Sequence, residues 1–300
     1  MKPSLRKSKS LLFPYFLLFL QPVFMASNLI VARGGVEFVP PISLAFWRWT
    51  TVFLLLIPFF YKPILKKIKS FKAEFHKLFF LGLTGCGICG AFPFIAGQTT
   101  TVVNMAVIYT SSPIFIILLS SFIYREKINT IQILGLALCL LGVFSIISKG
   151  DASIILSLEF TVGDIWMLGA AISWALYSVY LLNWKSKFDL LTRFVLIAMF
   201  GSISLFPFYL FEEFQRQSTS FDFKFLFWVI FAAISPAIIA FTLYAKVQKY
   251  LGASITGFTL YLFTVYGAFY GLIFFGETLE YYHFIGVFLV FIGIYLAKKN

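Results

Sequence analysis

The chain has 300 residues, of which 60% are hydrophobic and only 12% are charged. This composition excludes an ordinary soluble fold, because the polar residues are too few to cover the apolar surface. The formal net charge of +12 does not indicate a nucleic-acid partner, since the lysines and arginines lie between apolar runs and form no basic domain. The chain is therefore expected to lie in a lipid bilayer.

Apolar runs of about 18 or more residues are long enough to cross a hydrocarbon core as helices. The first run follows a basic segment, as in a secretory signal, but it is too long for one and lacks a small-residue cleavage pattern. It is therefore counted as the first membrane helix. The ten predicted spans are 11–32, 42–61, 77–97, 102–123, 130–148, 163–184, 190–211, 225–246, 253–274 and 282–297.

Charge alternates between successive connections. Lysine and arginine gather in the N-terminal tail, in connections 62–77, 125–127, 185–193 and 246–249, and at 298–299. The intervening connections carry acidic residues at 37, 151–159, 212–222 and 277–280. Because basic connections face the cytoplasm, the pattern predicts ten spans in the cell (inner) membrane with both termini cytoplasmic.

The chain also shows an internal repeat. A shift of 151 positions carries Glu126 onto Glu277, Gly135 onto Gly286 and Gly142 onto Gly293. This predicts two repeats of five helices, residues 1–150 and 151–300, and because five is odd the second repeat crosses the membrane in the opposite direction. The predicted fold is an all-α integral membrane protein with ten transmembrane helices as two inverted five-helix repeats. That plan recurs in secondary transporters.

Two strings match cofactor or metal motifs, but their context argues against both. Cys86 and Cys89 form a C-x-x-C pair, yet a metal site would need two further soft ligands, and none lies nearby in sequence. Gly85, Gly87 and Gly90 match the dinucleotide string G-x-G-x-x-G, which requires a strand before it. Within an apolar helix these glycines favour close helix packing instead. No cofactor and no metal are expected.

The sequence resembles the EamA-type members of the drug/metabolite transporter superfamily over nearly its whole length. In the first half the resemblance rests on PPISLAFWRW (40–49), 104–113, Arg125-Glu126, Gly135 and Gly142. In the second half it rests on Gly163-Asp164, SWALYS (173–178), LGAS (251–254), Gly276-Glu277 and Gly286. The resemblance implies ten helices in paired inverted repeats and export of amino acids or related metabolites. One departure is Thr264, which stands where the counterpart of Pro113 is expected, so a proline hinge is doubtful in the second half.

Arg48 is the only charged residue well inside a predicted span, roughly 10 Å from the outer end of its helix at 1.5 Å per residue. An arginine at mid-span costs about 2.5–3.5 kcal/mol on insertion scales. Arg48 and its neighbour Trp47 are therefore expected to face the bundle interior or an aqueous cavity. Arg48 then either clamps a substrate carboxylate or bonds to helix-end carbonyls as a structural residue, and the sequence leaves both open.

Two predicted helices carry polar residues on one face. Gln21 and Asn28 share a face of the first helix, and Ser173, Tyr177 and Tyr180 share a face of the sixth. A substrate cavity between the helices accounts for these faces, and interhelical hydrogen bonding is the alternative. The weaker cavity candidates are Gln98, Trp174 and Tyr244.

Glu126 and Glu277 end their helices at opposite membrane faces, where a structural or gating ion pair is favoured over proton carriage. Pro113 and Thr264 complete the set of predicted structural or gating residues. No Asp or Glu lies at mid-span, so the sequence does not support proton coupling through a buried carboxylate.

These features favour a secondary transporter that exports small organic metabolites such as amino acids by alternating access. The alternative is a membrane-embedded enzyme acting on lipid or peptide. That chemistry needs a nucleophile with its base, paired carboxylates or metal ligands at membrane depth, and the sequence supplies none. The expected partners are a small-molecule substrate and the lipid bilayer, with no prediction of oligomeric state.

Overall fold

The structure is a computed structural model, and it describes residues 12–124, 130–147, 161–215, 219–256 and 259–298. Within these residues all regular structure is helical. Seven helical segments are long and apolar enough to cross a membrane, and the shorter apolar helices Leu262–Phe275 and Tyr281–Gly293 follow them. The protein is therefore a multi-pass membrane protein.

The helices of the first half are joined by short connections. They are α1 (Leu12–Gly34), α2 (Pro41–Lys66), α3 (Ile68–Gly82), α4 (Cys89–Ala96), α5 (Val102–Tyr109), α6 (Ser112–Tyr124) and α7 (Thr130–Ile147). The helices of the second half are α8 (Val162–Asn183), α9 (Leu190–Gln215), α10 (Phe223–Ala233), α11 (Ala240–Thr256), α12 (Thr259–Phe275) and α13 (Tyr281–Lys298). A 3-10 turn, Gly35–Glu37, follows α1.

Several helices begin at residues that satisfy their free backbone donors. Thr161 and Asp164 form a complete capping box at the start of α8, and the Thr101 side chain accepts from Asn104 N–H at the start of α5. Pro41 occupies the first turn of α2, where its missing N–H costs no hydrogen bond. These caps fix where the helices start.

Two π-helical segments interrupt long helices at corresponding places in the two halves. The first, π1 (Leu83–Ile88), joins α3 to α4, and the second, π2 (Ile234–Ile239), joins α10 to α11. The second begins 151 residues after the first (234 − 83). Pro236 lies in π2 and has no N–H to donate, which is a recognised cause of such interruptions.

The helix contacts also come in corresponding pairs. α2 packs against α9, and α7 packs against α13. α1 contacts α11 and α12, whereas α8 contacts α4, α5 and α6. Similarly, α3 contacts α9 while α10 contacts α2. Helices that lie about 151 residues apart in the sequence are counterparts, for example α1 and α8. Replacing both helices of one contact by their counterparts gives another contact that is also present.

Close helix packing depends on glycine where α3 crosses α9. A Cβ atom on Gly82 would lie 2.5 Å from the Phe200 Cβ and 2.8 Å from the Gly201 nitrogen. On Gly201 it would lie 2.2 Å from the Cys86 Cβ. The predicted small-residue packing surface is therefore present, and the G-x-G-x-x-G string lies in helix, as expected.

The outer surface of the bundle carries large apolar side chains. Phe122 is 87% exposed, Phe214 83% and Phe59 77%. Such exposure is costly in water but suits a surface covered by lipid tails. Many of the phenylalanines therefore lie where lipid is expected.

The termini of the helices lie at two opposite ends of the molecule, which we name by the charge of their connections. The acidic end contains the helix termini at 34–41, 96–102, 212–223 and 275–281. The basic end contains the connections at 66–68 and 183–190. These names are used below for the two ends.

Candidate functional site

A small cavity lies inside the bundle, where α1, α2, α4, α5, α8, π2, α11 and α12 meet. Its volume is about 40 Å³, which is room for about three water molecules at roughly 10–15 Å³ each. We call it the central cavity. The residues that define its chemistry are Met25, Asn28, Arg48, Trp49, Cys89, Tyr109, Met167, Trp174 and Phe241.

Arg48 is the only charged side chain among the residues that line the central cavity, and it is 3% exposed. Its Nη1 donates to Asn28 Oδ1 at 2.7 Å, and its Nη2 donates to the Pro236 carbonyl at 3.3 Å. The guanidinium carbon lies 4.6 Å from the centroid of the Trp49 ring. Arg48 thus makes structural contacts with α1 and π2 and also lines the cavity.

Three nitrogen donors of cavity-lining residues have no hydrogen-bond partner in the part of the chain that the structure describes. They are Arg48 Nε, Trp49 Nε1 and Trp174 Nε1, and all three are buried. Buried N–H groups are rarely left unpaired, because each one costs about 1–3 kcal/mol. The cavity is therefore suited to a ligand that brings acceptor oxygens, such as a carboxylate.

Aromatic rings separate the central cavity from the basic end. Phe241 lies 5.9 Å from Trp174, 5.6 Å from Trp49 and 5.2 Å from Phe194, measured between ring centroids. Trp174 also lies 5.2 Å from Tyr177. We call these five rings the aromatic barrier.

A second polar contact closes the cavity wall near α4 and α5. Cys89 Sγ and Tyr109 Oη lie 3.4 Å apart within hydrogen-bonding distance. Cys86 and Cys89 are both free and buried. Among the described residues no group of three or more His, Cys, Asp or Glu side chains is placed to hold a metal ion.

Of the predicted cavity residues, Asn28, Arg48 and Trp174 line the central cavity. Tyr177 and Tyr244 instead line a second cavity, nearer the basic end. The structure therefore brings five of the predicted candidates to two neighbouring cavities.

The other predicted candidates are not among the residues that line either cavity. Gln21 donates from Nε2 to the Ala240 carbonyl at 3.4 Å and to Met25 Sδ at 3.2 Å. Ser173 Oγ donates to the carbonyl of Thr84, inside π1, at 2.8 Å. The bonds to the Ala240 and Thr84 carbonyls are the interhelical hydrogen bonds that were the alternative to a cavity, whereas the bond to Met25 lies within α1.

Three further candidates lie near the ends of the bundle. Trp47 packs edge-on against Tyr209 and Phe221, with ring centroids 6.0 Å and 5.8 Å away. Tyr180 lies 4.4 Å from Trp184, at the basic end. Gln98 is exposed in the turn after α4. In the part of the chain that the structure describes, none of these three residues lines either cavity.

Pro113 and Thr264 occupy different local structures. The helix breaks between α5 and α6 just before Pro113, whereas α12 runs through Thr264 without interruption. Ser112 Oγ donates to the Tyr109 carbonyl at 2.5 Å, replacing the N–H that Pro113 lacks. Thr264 Oγ1 forms a hydrogen bond with Thr110 Oγ1 across the α5–α12 contact.

Glutamates close the acidic end through backbone contacts. Glu277 accepts from Val102 N–H at 2.8 Å and Val103 N–H at 3.0 Å, at the start of α5. Glu212 accepts from Ser43 N–H at 2.6 Å, in the first turn of α2. Carboxylates are favourable at helix N-termini, where backbone donors are unpaired. The contacts of Glu277 are thus with backbone rather than with a basic side chain, and its counterpart Glu126 lies outside the described residues.

Two more hydrogen bonds join helices at the acidic end. Arg33 Nη1 donates to the Gly97 carbonyl at 2.8 Å, and Thr100 Oγ1 donates to Asp164 Oδ1 at 2.6 Å. Together with the contacts of the two glutamates, they join helix termini at this end of the molecule.

Sequence reasoning missed several residues that line the cavities. Tyr109, Cys89 and Met167 line the central cavity, Arg193 lines the second cavity, and Phe241 lines both. A signal existed for Tyr109, which is polar and lies in the middle of a predicted span. Arg193 was read only as part of a basic connection, and Phe241 was one of many phenylalanines.

The EamA-like transporter family model matches the chain twice, at residues 12–148 and 161–298. An uncharacterized transporter of Archaeoglobus fulgidus is 27% identical over 290 residues, which cover 95% of this chain and 97% of that protein. The uncharacterized transporter YyaM of Bacillus subtilis is 23% identical over 286 residues, covering 95% of this chain and 93% of that one.

A solved crystal structure shares the fold. It matches with a TM-score of 0.62 and 17% sequence identity, and the match covers 94% of this chain and 95% of that one. The two family matches together cover nearly all of the sequence. The chain therefore belongs to the EamA-like transporter family, within the drug/metabolite transporter superfamily.

Proposed function

We propose that the protein is a secondary transporter that exports small carboxylate-bearing metabolites, such as amino acids, across the cell (inner) membrane by alternating access. The observation that carries this proposal is the set of three unpartnered buried donors around the central cavity, Arg48 Nε, Trp49 Nε1 and Trp174 Nε1. A carboxylate supplies acceptor oxygens for such donors, and a guanidinium matches its planar geometry.

The helix arrangement supports alternating access. We infer ten transmembrane helices as two inverted five-helix repeats, residues 1–150 and 151–300. The 151-residue spacing of π1 and π2, the paired helix contacts and the two successive family matches all support this division. Two related halves provide two packings of similar energy that open toward opposite sides.

The charge pattern supports the orientation. With the basic connections in the cytoplasm, both termini are cytoplasmic and the acidic end faces outward. The hydrogen bonds of Glu212 and Glu277 then close the outer side of the central cavity. The larger second cavity lies on the cytoplasmic side, separated from the central cavity by the aromatic barrier. This arrangement corresponds to a protein closed to the outside.

The transport cycle requires the central cavity to expand. A volume of about 40 Å³ holds a few water molecules and not an amino acid. We infer that movement of Phe241 and Trp174 admits the substrate from the cytoplasmic side, and that release of the Glu212 and Glu277 contacts opens the outer side. The π-helical segments beside the cavity supply places where the long helices bend.

Counterflow in proteoliposomes tests the proposal. Vesicles containing the purified protein are preloaded with one amino acid at high concentration, and uptake of the same labelled compound is followed across a panel of amino acids and related carboxylates. We expect accumulation for at least one compound, its loss in Arg48→Gln, and its retention in Lys224→Gln, which removes a positive charge outside the cavity. If no compound gives counterflow, or if both variants behave alike, the proposal is wrong.

A further inference from the structure

The second cavity lies at the basic end, between α8, α9 and α11, and has a volume of about 240 Å³. Its polar groups come from Tyr177, Arg193, Thr242 and Tyr244, and the rest of its wall is apolar. No Asp or Glu is among the residues that line it. The wall of the cavity therefore carries one positive charge and no acidic side chain.

Arg193 uses few of its donors within the protein. Its Nη1 donates to the Leu181 carbonyl at 3.2 Å, near the C-terminal end of α8. Its Nε is buried and has no hydrogen-bond partner among the described residues. A guanidinium has five N–H donors. The donors of Arg193 that make no hydrogen bond within the described chain suit an anion that offers two oxygens.

The acidic side chains nearby are already occupied by other donors. Glu74 accepts from Lys187 N–H at 2.9 Å. Asp189 accepts from Thr192 N–H at 3.1 Å at the start of α9. Glu74 acts on Arg193 electrostatically, but within the described chain neither acid forms an ion pair with the guanidinium, so its N–H donors are not occupied by a carboxylate.

The remaining wall is suited to an apolar group. Leu181, Leu190, Leu191 and Ile197 line the cavity beside Arg193. A ligand that pairs with the guanidinium therefore has a place for a hydrocarbon or aromatic portion. Exposed lysines at this end, such as Lys185 and Lys187, raise the local concentration of anions.

We propose that this cavity binds amphipathic organic anions through a carboxylate held by Arg193, with the Tyr177 and Tyr244 hydroxyls as further donors. Phe241 lines both this cavity and the central one, so the site lies directly before the aromatic barrier. That the bound anion is the transported substrate rests on the proposed function. Binding of the carboxylate does not, because it requires no movement of the barrier.

The test is equilibrium binding to the full-length protein in a neutral detergent, observed by fluorine NMR with 4-(trifluoromethyl)benzoate as the probe. We expect saturable binding of the probe, and at least tenfold weaker binding of the matching carboxamide. Arg193→Gln should weaken probe binding at least tenfold. Lys185→Gln removes the same charge from an exposed position in the connection before α9, and it should change the affinity less than twofold.

A second variant tests the site without altering its charge. Leu191→Trp fills the apolar side of the cavity and should also abolish saturable binding, so the test does not depend on the Arg193 variant folding. Equal binding of the acid and the carboxamide, equal effects of Arg193→Gln and Lys185→Gln, or full binding in Leu191→Trp would each overturn the proposal. Displacement of the probe by phosphatidylglycerol at equimolar concentration would also overturn it, because the occupant would then be a lipid phosphate.

Loss of counterflow without loss of probe binding would contradict the transport function and leave this site intact. Loss of probe binding while counterflow persists would contradict the Arg193 site alone. The two outcomes therefore distinguish the two proposals.

Discussion

Replacing Glu277 by glutamine removes the charge that holds the start of α5 at the acidic end. In the native protein both carboxylate oxygens accept backbone hydrogen bonds, from Val102 N–H at 2.8 Å and Val103 N–H at 3.0 Å. A glutamine amide offers one acceptor oxygen and places an NH₂ donor beside the second N–H. One of the two donors at the start of α5 therefore loses its partner.

The expected loss follows from these contacts. A buried N–H left without a partner costs about 1–3 kcal/mol, and the interaction of a carboxylate with a helix N-terminus contributes about 0.3–1 kcal/mol. We expect Glu277→Gln to lower the free energy of unfolding by about 2–3 kcal/mol. At roughly 2–4 °C per kcal/mol, the apparent Tm should fall by about 4–12 °C.

Thermal unfolding of the purified protein, followed by tryptophan fluorescence at one heating rate, measures this change. Glu280→Gln is the matched control, because the Glu280 carboxylate is exposed and, among the described residues, accepts a hydrogen bond from the Thr278 hydroxyl, at 3.2 Å, and none from a helix N-terminus. It should lower the Tm by less than about 2 °C, as surface substitutions usually do. Equal Tm shifts for the two variants would refute the claim that Glu277 holds α5 in place.

Three further changes have definite expected outcomes. Arg48→Met removes two buried hydrogen bonds and should lower the free energy of unfolding by about 1–3 kcal/mol in chemical denaturation. Gly201→Ala places a methyl group 2.2 Å from the Cys86 Cβ and should cost about 1–3 kcal/mol, read as a lower Tm. Burial raises the pKa of Asp189, but hydrogen bonds from Thr192 outweigh this and leave that pKa below its usual value. The carboxylate is therefore stabilising above about pH 4, and Asp189→Ala should lower the Tm at pH 7 but progressively less as the pH falls below 4.

The positions of the helices follow closely from the sequence. The apolar runs coincide with helices of the structure to within several residues at most ends, although α2 continues to Lys66. Seven helical segments meet the length and composition of a membrane span within the described residues. The apolar pattern was sufficient because a bilayer requires each span to satisfy its own backbone hydrogen bonds.

The 151-residue shift was found from a few glycines and glutamates, and the two π-helical segments lie at the same spacing. The π-helices themselves were not predicted. One contains Pro236, but the other contains none and depends on contacts made by glycines with distant helices, such as Gly85 with the Tyr177 ring. Such contacts are not visible in a local sequence pattern.

The cavity residues were predicted only in part, because a helix face does not determine its neighbour. Gln21 and Asn28 share a face of α1, yet Asn28 meets Arg48 while Gln21 meets the Ala240 carbonyl. The helix that packs against this face of α1 is α2 at Asn28 and α11 at Gln21. Predicting which polar residue reaches a cavity therefore requires the arrangement of helices as well as their periodicity.

Arg193 shows the same difficulty at the basic end. In the sequence it belongs to a run of positive charges that specifies orientation, and most such charges are exposed. Its special position arises because the first turn of α9 lines a cavity together with residues of α8 and α11. Only the tertiary structure distinguishes it from its lysine neighbours.

The central claim is that the cavity at Arg48 opens alternately to the two sides of the membrane, and Cys89 provides a native reporter for it. Cys89 lines the cavity and is free and buried. A membrane-impermeant methanethiosulfonate reagent does not fit a cavity of about 40 Å³, so modification requires opening. In a Cys86→Ala, Cys139→Ala background, we predict that Cys89 is modified in right-side-out and in inside-out vesicles, and that Arg48 is not needed for this access. Modification from neither side, or from one side only, would contradict alternating access.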